Sequence, residues 1–173
     1  MSETTRRHPN VVSLEEVEPQ RQEKGTRFGF AAKMLARATG ARGIGCTFIE
    51  VPPGRTAFPR HFHYANEEAA FILEGQATLR IGKKTVPVRA GDYITFPPGD
   101  EYAHQLLNSG KAPLRYLALS TLQTTEVVGY PDSGKVGAAK YAFDPAGKPV
   151  AAFRALFRQS SQVTDYYEGE EID

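Results

Sequence analysis

The chain has 173 residues, of which 40% are hydrophobic and 24% are charged, and its 21 basic and 20 acidic residues leave a net charge of +1. This length suits one well-cored domain and is short for two. The near-neutral charge gives no overall attraction to nucleic acid or to a membrane, and we expect neither as a partner.

Cysteine content and the N-terminal sequence point to a cellular compartment. The single cysteine, Cys46, excludes an intramolecular disulfide, which is typical of a reducing environment. No apolar run reaches the roughly 18 residues that span a bilayer. Residues 1–10 lack the apolar core of a secretion signal and read as a disordered or loosely docked tail. We therefore expect a cytoplasmic protein.

The first third of the chain mixes polar connections with short apolar runs. Ser13, followed three residues later by Glu16, predicts a capping box and one helical turn. The polar residues 18–25 are expected to form a loop. Residues 28–35 are predicted to be a strand because glycines bracket them, although their C-terminal half would also suit a helix. Residues 44–51 are a predicted strand that ends at a Pro-Pro-Gly turn.

Two histidines separated by one residue, His61 and His63, follow this turn. Residues i and i+2 of a strand point to the same side, so both imidazoles can face one cavity. Residues 68–74 alternate in a strand pattern, and a strand that starts at Glu68 places its carboxylate beside the imidazoles. Two nitrogens and one oxygen from neighbouring strands suit a first-row divalent metal ion.

Short strands and tight turns fill the next stretch. Residues 76–81 alternate apolar and polar side chains, and residues 82–84 form a hairpin turn. Pro87 marks an edge position or a bulge in the strand that follows. Two further strands are predicted at residues 93–96 and 114–122. Short strands separated by Gly and Pro turns indicate an antiparallel sandwich or barrel.

A further strand is predicted at residues 101–107, with Tyr102 and His104 on the same face. His104 is the fourth candidate metal ligand. The C-terminal part of the chain is less regular: residues 127–136 are interpreted as a surface loop near the mouth of the cavity, and residues 151–157 as a strand or a helical turn.

The two histidine segments resemble the two sequence motifs of the cupin superfamily. The first is similar to G-x5-H-x-H-x3,4-E-x6-G and the second to G-x5-P-x-G-x2-H-x3-N. The resemblance implies four metal ligands: His61, His63, Glu68 and His104. Glu68 is placed in this set rather than Glu67 because six residues separate Glu68 from Gly75. One extra residue before His61 and two before His104 fall in turns, where insertions are tolerated.

The resemblance implies an all-β antiparallel double-stranded β-helix, the jelly-roll or cupin barrel. It covers residues 43–122, which we expect to be the barrel core. Residues 1–42 are then an N-terminal tail with extension strands, and residues 123–173 are a C-terminal extension packed on the barrel. Similar small single-domain bacterial cupins are labelled sugar-phosphate isomerases. Such proteins often pair through their N-terminal strands, so a homodimer is expected.

The implied site holds one divalent metal ion, and its ligands exclude none of Zn, Mn, Fe, Ni or Co. A metalloenzyme is predicted that acts on a small oxygenated molecule: a sugar, a sugar phosphate or an organic acid, by isomerase-like Lewis-acid chemistry. The alternatives are an iron-dependent dioxygenase and a non-catalytic small-molecule binding or sensing cupin. A sugar-phosphate enzyme should need a basic pair inside the barrel.

Five further residues are candidates near the site. Tyr102 is a candidate acid, base or hydrogen-bond donor. Of Arg115 and Tyr116, whichever faces inward is a candidate substrate anchor. Asn108 and Phe71 lie close to the motifs in the sequence and complete the candidate substrate contacts.

Overall fold

The computed structural model describes residues 8–143 and 149–158. Its described part contains thirteen strands: β1 Gln20–Lys24, β2 Phe28–Met34, β3 Ile44–Val51, β4 Phe62–His63, β5 Glu68–Glu74, β6 Gln76–Ile81, β7 Lys84–Arg89, β8 Tyr93–Phe96, β9 His104–Asn108, β10 Leu114–Thr121, β11 Thr125–Tyr130, β12 Lys135–Phe143 and β13 Pro149–Arg158. A four-residue helix, α1, spans Leu35–Ala38, and two 3-10 helices span Leu14–Glu16 and Asp100–Tyr102. No helix in these ranges is long and apolar enough to cross a membrane.

The strands form two antiparallel layers. One layer is a six-stranded sheet in the order β1-β2-β3-β10-β5-β8. The other consists of the three-stranded sheet β7-β6-β9 and the four-stranded sheet β13-β12-β11-β4. These two sheets meet where His61 and His104 exchange backbone hydrogen bonds of 3.1 and 2.8 Å. The predicted all-β jelly roll is confirmed, although no hydrogen-bonded ring of strands closes within the described ranges.

The hydrophobic core lies between the layers. β3, β5 and β10 contribute Ile49, Ile72 and Leu114, each almost completely buried. Leu79 of β6 and Leu106 of β9 pack on them from the other layer. In β3, β5, β6 and β10, side chains that point into this core alternate with side chains that point away from it, and the sequence shows this pattern.

Several predicted elements are confirmed. The capping box at Ser13 is present, with the Glu16 carboxylate accepting the backbone N–H of Ser13. Residues 28–34 are a strand, and the helical alternative holds only from Leu35 onward. Pro87 lies on the edge strand β7, as its missing N–H requires.

Three predictions about local structure are wrong. Residues 20–24 form β1 and not a loop, because their backbone pairs in register with β2 even though every side chain is exposed. β9 begins at His104, since Asp100–Tyr102 forms a 3-10 helix in place of the first strand residues. Residues 127–136 belong to the β11–β12 hairpin, with only a short turn at its tip.

A glycine allows β4 to lie against β11. Gly129 pairs with Phe62, and a Cβ at Gly129 would overlap the ring carbons of Phe62. The bare backbone therefore lets the ring lie across β11, and it brings His63 opposite Val128.

The predicted extensions add strands to both layers. β1 and β2 extend one end of the six-stranded sheet, and β11–β13 extend the second layer. Boundaries at residues 42 and 122 stay a prediction. Residues 1–7, 144–148 and 159–173 of these extensions lie outside the described residues.

Candidate metal centre

Three imidazoles converge on one carboxylate between the two layers. The Nε2 atoms of His61, His63 and His104 lie 3.6, 3.2 and 3.4 Å from Oε2 of Glu68. His63 ends β4, Glu68 begins β5 and His104 begins β9, so strand ends from both layers meet here. Ligand atoms of His61, Glu68 and His104 lie within 4.8 Å of one another, and this cluster could hold a metal ion.

Backbone carbonyls fix the orientation of two of the rings. Nδ1 of His61 lies 2.9 Å from the carbonyl oxygen of Pro59, and Nδ1 of His104 lies 3.1 Å from that of Tyr102. A carbonyl can only accept, so Nδ1 carries a proton in both rings and Nε2 is the ring nitrogen that faces Glu68. A metal ion held between these Nε2 atoms and the carboxylate would take the Nε2 lone pairs as ligands.

The third ring has a carboxylate behind it. Nδ1 of His63 lies 3.4 Å from Oε2 of Glu126, whose side chain is only 6% exposed. The same carboxylate accepts backbone N–H groups at 2.8 to 3.3 Å, from Tyr64, Ala65, Asn66 and Val127. A carboxylate behind a ligating imidazole is a recurrent feature of metal sites.

Burial and charge act in opposite directions on the pKa values of the cluster. Burial alone would raise the pKa of the Glu68 carboxyl, but hydrogen bonds from the three imidazoles outweigh burial and hold this pKa well below its usual range. Burial lowers the pKa of His104 despite the Glu68 charge. Burial also disfavours the charged form of His63, but Glu68 and Glu126 overcome it and raise the pKa.

The cluster opens on a mostly apolar cavity of about 280 Å³. The Phe96 ring stacks on His104 with a centroid distance of 3.6 Å and an angle of 9°. Tyr116 and Tyr130 also line the cavity, and burial raises the pKa of both phenols, so both stay protonated donors. No Lys or Arg is present among the described lining residues.

The structure separates the two candidate anchors on β10. Tyr116 faces the cavity and is 4% exposed. Arg115 faces outward, and its guanidinium is held by Glu50 at 2.7 Å and by Glu74 at 2.5 Å.

The other three candidates do not line this cavity. Asn108 is fully buried, and its amide donates to the carbonyl oxygens of Val51 and Ala112. Phe71 is 37% exposed. Tyr102 lies in the 3-10 helix and meets His104 through its backbone carbonyl.

Two residues of the site were not among the sequence candidates: Glu126 and Tyr130. Tyr130 lies on the β11–β12 hairpin, and its ring is nearly parallel to that of His61 at a centroid distance of 6.2 Å. The available signal was the alternation of Glu126, Val128 and Tyr130, which puts a carboxylate on an otherwise apolar face. A surface loop over residues 127–136, as predicted from the sequence, would not present such a face, whereas the strand does.

The fold is a double-stranded β-helix, and its cluster of imidazoles and a carboxylate could hold a metal ion. Residues 47–120 match the family model described as the cupin domain. This part of the chain therefore matches a cupin domain, as the two motifs predicted.

Three relatives illustrate the similarity. An uncharacterized protein of Methanocaldococcus jannaschii is 37% identical over 60 residues, which are 35% of this chain and 46% of that protein. The oxalate-binding protein of Thermotoga maritima is 31% identical over 74 residues, or 43% and 59% of the two chains. This chain thus spans about half the length of these curated relatives. A solved structure of a candidate sugar phosphate isomerase from Acidithiobacillus ferrooxidans has a TM-score of 0.68 at 25% identity, covering 75% of this chain and 86% of that one.

Proposed function

We propose that this chain binds one divalent metal ion through four ligands, namely His61, His63, Glu68 and His104, and uses it as a metalloenzyme on a small oxygenated molecule. The observation that carries the proposal is the convergence of three imidazole Nε2 atoms, at 3.2 to 3.6 Å, on one carboxylate oxygen of Glu68. Three imidazoles and a carboxylate suit Zn, Mn, Fe, Ni or Co and leave room for substrate oxygens.

A divalent ion bound here would supply Lewis-acid polarisation of a carbonyl or carboxylate oxygen. The residues of this chain add binding and orientation. The protonated phenols of Tyr116 and Tyr130 can donate hydrogen bonds to substrate oxygens. Phe96 and the other apolar lining residues keep water away from the reacting group. This arrangement suits isomerase-like chemistry on a carbonyl compound.

The substrate is best described as a small organic acid or a neutral oxygenated molecule at this cavity. A phosphate group would find no arginine or lysine among the described lining residues. The oxalate-binding relative favours a chelating organic acid, and the candidate sugar phosphate isomerase favours a sugar derivative. The apolar lining also suits the oxygen pocket of an iron dioxygenase, which is the second candidate function; a non-catalytic binding or sensing cupin is the third.

Metal content tests the proposal. We expect near-stoichiometric metal by mass spectrometry in tag-free wild-type protein and almost none in a His61→Ala/His104→Ala double variant, because two of the four ligands are lost. His8→Ala is the matched control, since His8 is exposed and lies outside the cluster. Iron in the site would favour oxygen chemistry, and zinc, manganese, nickel or cobalt would favour Lewis-acid chemistry.

The opposite result is also clear. Wild-type protein that takes up none of the five ions, even after reconstitution, would mean that the histidines are structural and that the enzyme proposal fails. Metal in the double variant at the wild-type level would place the ion elsewhere.

We also propose a homodimer in the cytoplasm, with a small molecule as the ligand. The free Cys46 supports a reducing compartment. The resemblance to cupins that pair as dimers supports the proposed homodimer.

A further inference from the structure

A second cavity lies behind the candidate metal centre. It has a volume of about 450 Å³ and is bounded by β11, β12, β13 and the turn that follows α1. It shares His63, Val128 and Tyr130 with the first cavity, so these three side chains form a common wall. The two cavities are therefore adjacent, and a molecule long enough to pass this common wall would have one end in each of them.

Two arginines line the second cavity. Arg42 follows α1, and Arg154 lies on β13. Neither guanidinium has a carboxylate within ion-pair distance anywhere in residues 8–143 and 149–158, in contrast to Arg55, Arg60 and Arg115. The charge of Arg154 reaches the common wall: burial raises the pKa of Tyr130, and Arg154 partly opposes that rise. These are two available cations at the second cavity.

The rest of the wall is mostly apolar, with neutral polar side chains from Asn66, Gln123, Thr124 and Tyr141. The apolar lining residues are small or aliphatic, and they include Leu122, Val128 and Leu156. Glu126 is the one carboxylate among the described lining residues, and its charge is already engaged by backbone N–H groups and His63. An apolar body with an anionic end therefore matches the cavity better than a free sugar, whose many hydroxyls would face carbon.

We propose that the second cavity binds the carboxylate or phosphate end of an organic anion with an apolar body, through Arg42 and Arg154. The proposal deepens, and rests on, the proposed function, because the other end of the same molecule is placed at the metal centre. The two arginines would also supply the basic pair that a sugar-phosphate enzyme should need, which the described lining of the first cavity lacks. Arginine is suited to this role because its planar guanidinium can donate two hydrogen bonds to one carboxylate or phosphate.

Calorimetric titration with three probes tests the proposal: phenyl phosphate, inorganic phosphate and phenol. We use the full chain after treatment with a chelator, so that no metal competes for the anion. Phenyl phosphate should bind more tightly than inorganic phosphate or phenol, since only it has both the apolar body and the charge. In an Arg42→Gln/Arg154→Gln variant its affinity should fall by about tenfold for each arginine lost.

The control is an Arg37→Gln/Arg158→Gln variant. It removes the same charge from α1 and β13, at exposed positions that do not line the cavity. Circular dichroism on each variant verifies the fold. Equal loss of affinity in both double variants, or no loss in Arg42→Gln/Arg154→Gln, would overturn the proposal.

Metal content measured in parallel on untreated protein separates the two proposals. Metal in the wild type without arginine-dependent binding of phenyl phosphate would overturn the proposed anion site and leave the proposed metal site standing. Arginine-dependent binding in a chain that takes up no metal would support the anion site and overturn the metalloenzyme.

Discussion

Glu126 is a residue of β11 that contacts the candidate metal centre, through His63. Its buried carboxylate is held by four backbone N–H groups and faces Nδ1 of His63. This hydrogen bonding fixes the carboxylate before any metal arrives. The carboxylate in turn favours the His63 tautomer that leaves Nε2 free toward Glu68.

We predict that Glu126→Gln weakens metal binding by about tenfold to a hundredfold. The amide keeps the shape of the side chain but removes the charge beside His63. In the variant, the NH₂ group replaces one carboxylate oxygen and then faces backbone N–H groups that this oxygen accepted. Leaving these N–H groups without an acceptor should lower the free energy of unfolding by about 1–3 kcal/mol. Competition with a chromophoric chelator measures the affinity, and thermal unfolding measures the stability.

Glu67→Gln is the matched control for this variant. Glu67 is exposed and adjoins Glu68, and its substitution makes the same change in charge. It also tests the choice between Glu67 and Glu68 that the motif spacing made. Metal affinity that drops in Glu67→Gln and not in Glu126→Gln would contradict both assignments.

The β11–β12 hairpin is the element that joins the extension to the metal centre. Asp132 at its turn accepts hydrogen bonds from Arg60 at 3.3 Å and from Arg80 at 2.8 Å. Arg60 precedes His61 in the chain, and Arg80 donates to Gln105, the residue after His104. The exposed Asp132 carboxylate thus links the turn directly to the residue before His61, and through Arg80 to β9, which carries His104.

The pKa of the Asp132 carboxyl is lowered, chiefly by the hydrogen bond from Arg80, with burial opposing and Arg60 assisting. A group with a lowered pKa in the folded state stabilises the fold above its unfolded value and loses this effect as pH falls through the folded value. We predict that Asp132→Asn destabilises the protein by less than about 1 kcal/mol at neutral pH, because the pair is partly exposed. This difference from wild type should shrink below pH 3.8, the usual Asp value.

Urea unfolding of both proteins between pH 7 and pH 3 measures this difference. Asp100→Asn is the control, since Asp100 is exposed and its carboxylate makes no ion pair with Arg60 or Arg80. A stability difference for Asp132→Asn that stays constant down to pH 3 would show that the ionised carboxylate is not what connects the hairpin.

Prediction from the sequence worked where a residue's role depends on near neighbours. Strands β3, β5, β6 and β10 alternate because one face of each is buried, and His61, His63 and Glu68 lie close together in the sequence, in or just before β4 and at the start of β5. β1 was not predictable, since its polar side chains are all exposed and only backbone pairing with β2 holds it. Alternation along β11 signals only that Glu126 faces inward; its contact with His63, and the lining of one cavity by Arg42 and Arg154, bring together distant segments that no local pattern records.

The exposed apolar surface of the whole molecule bears on the predicted homodimer. β13 is the edge strand of its sheet, and its Phe153, Leu156 and Phe157 are 55%, 61% and 51% exposed. Edge strands with large exposed apolar side chains are surfaces on which a second chain pairs. β1, the edge of the other sheet, is polar throughout. The apolar edge therefore favours β13, not the N-terminal strands, as the dimer contact.

We predict a mass of about 38 kDa by size-exclusion chromatography with light scattering, twice the 19.0 kDa of one chain. Phe153→Lys/Phe157→Lys should shift the mass to that of a single chain, because each of the two chains would bring two lysine charges into the symmetric contact. Val86→Lys/Leu73→Lys is the control, as both positions are exposed on other strands. A wild-type mass of one chain would contradict the dimer, and a dimer that survives the β13 substitutions would move the contact to the N-terminal strands.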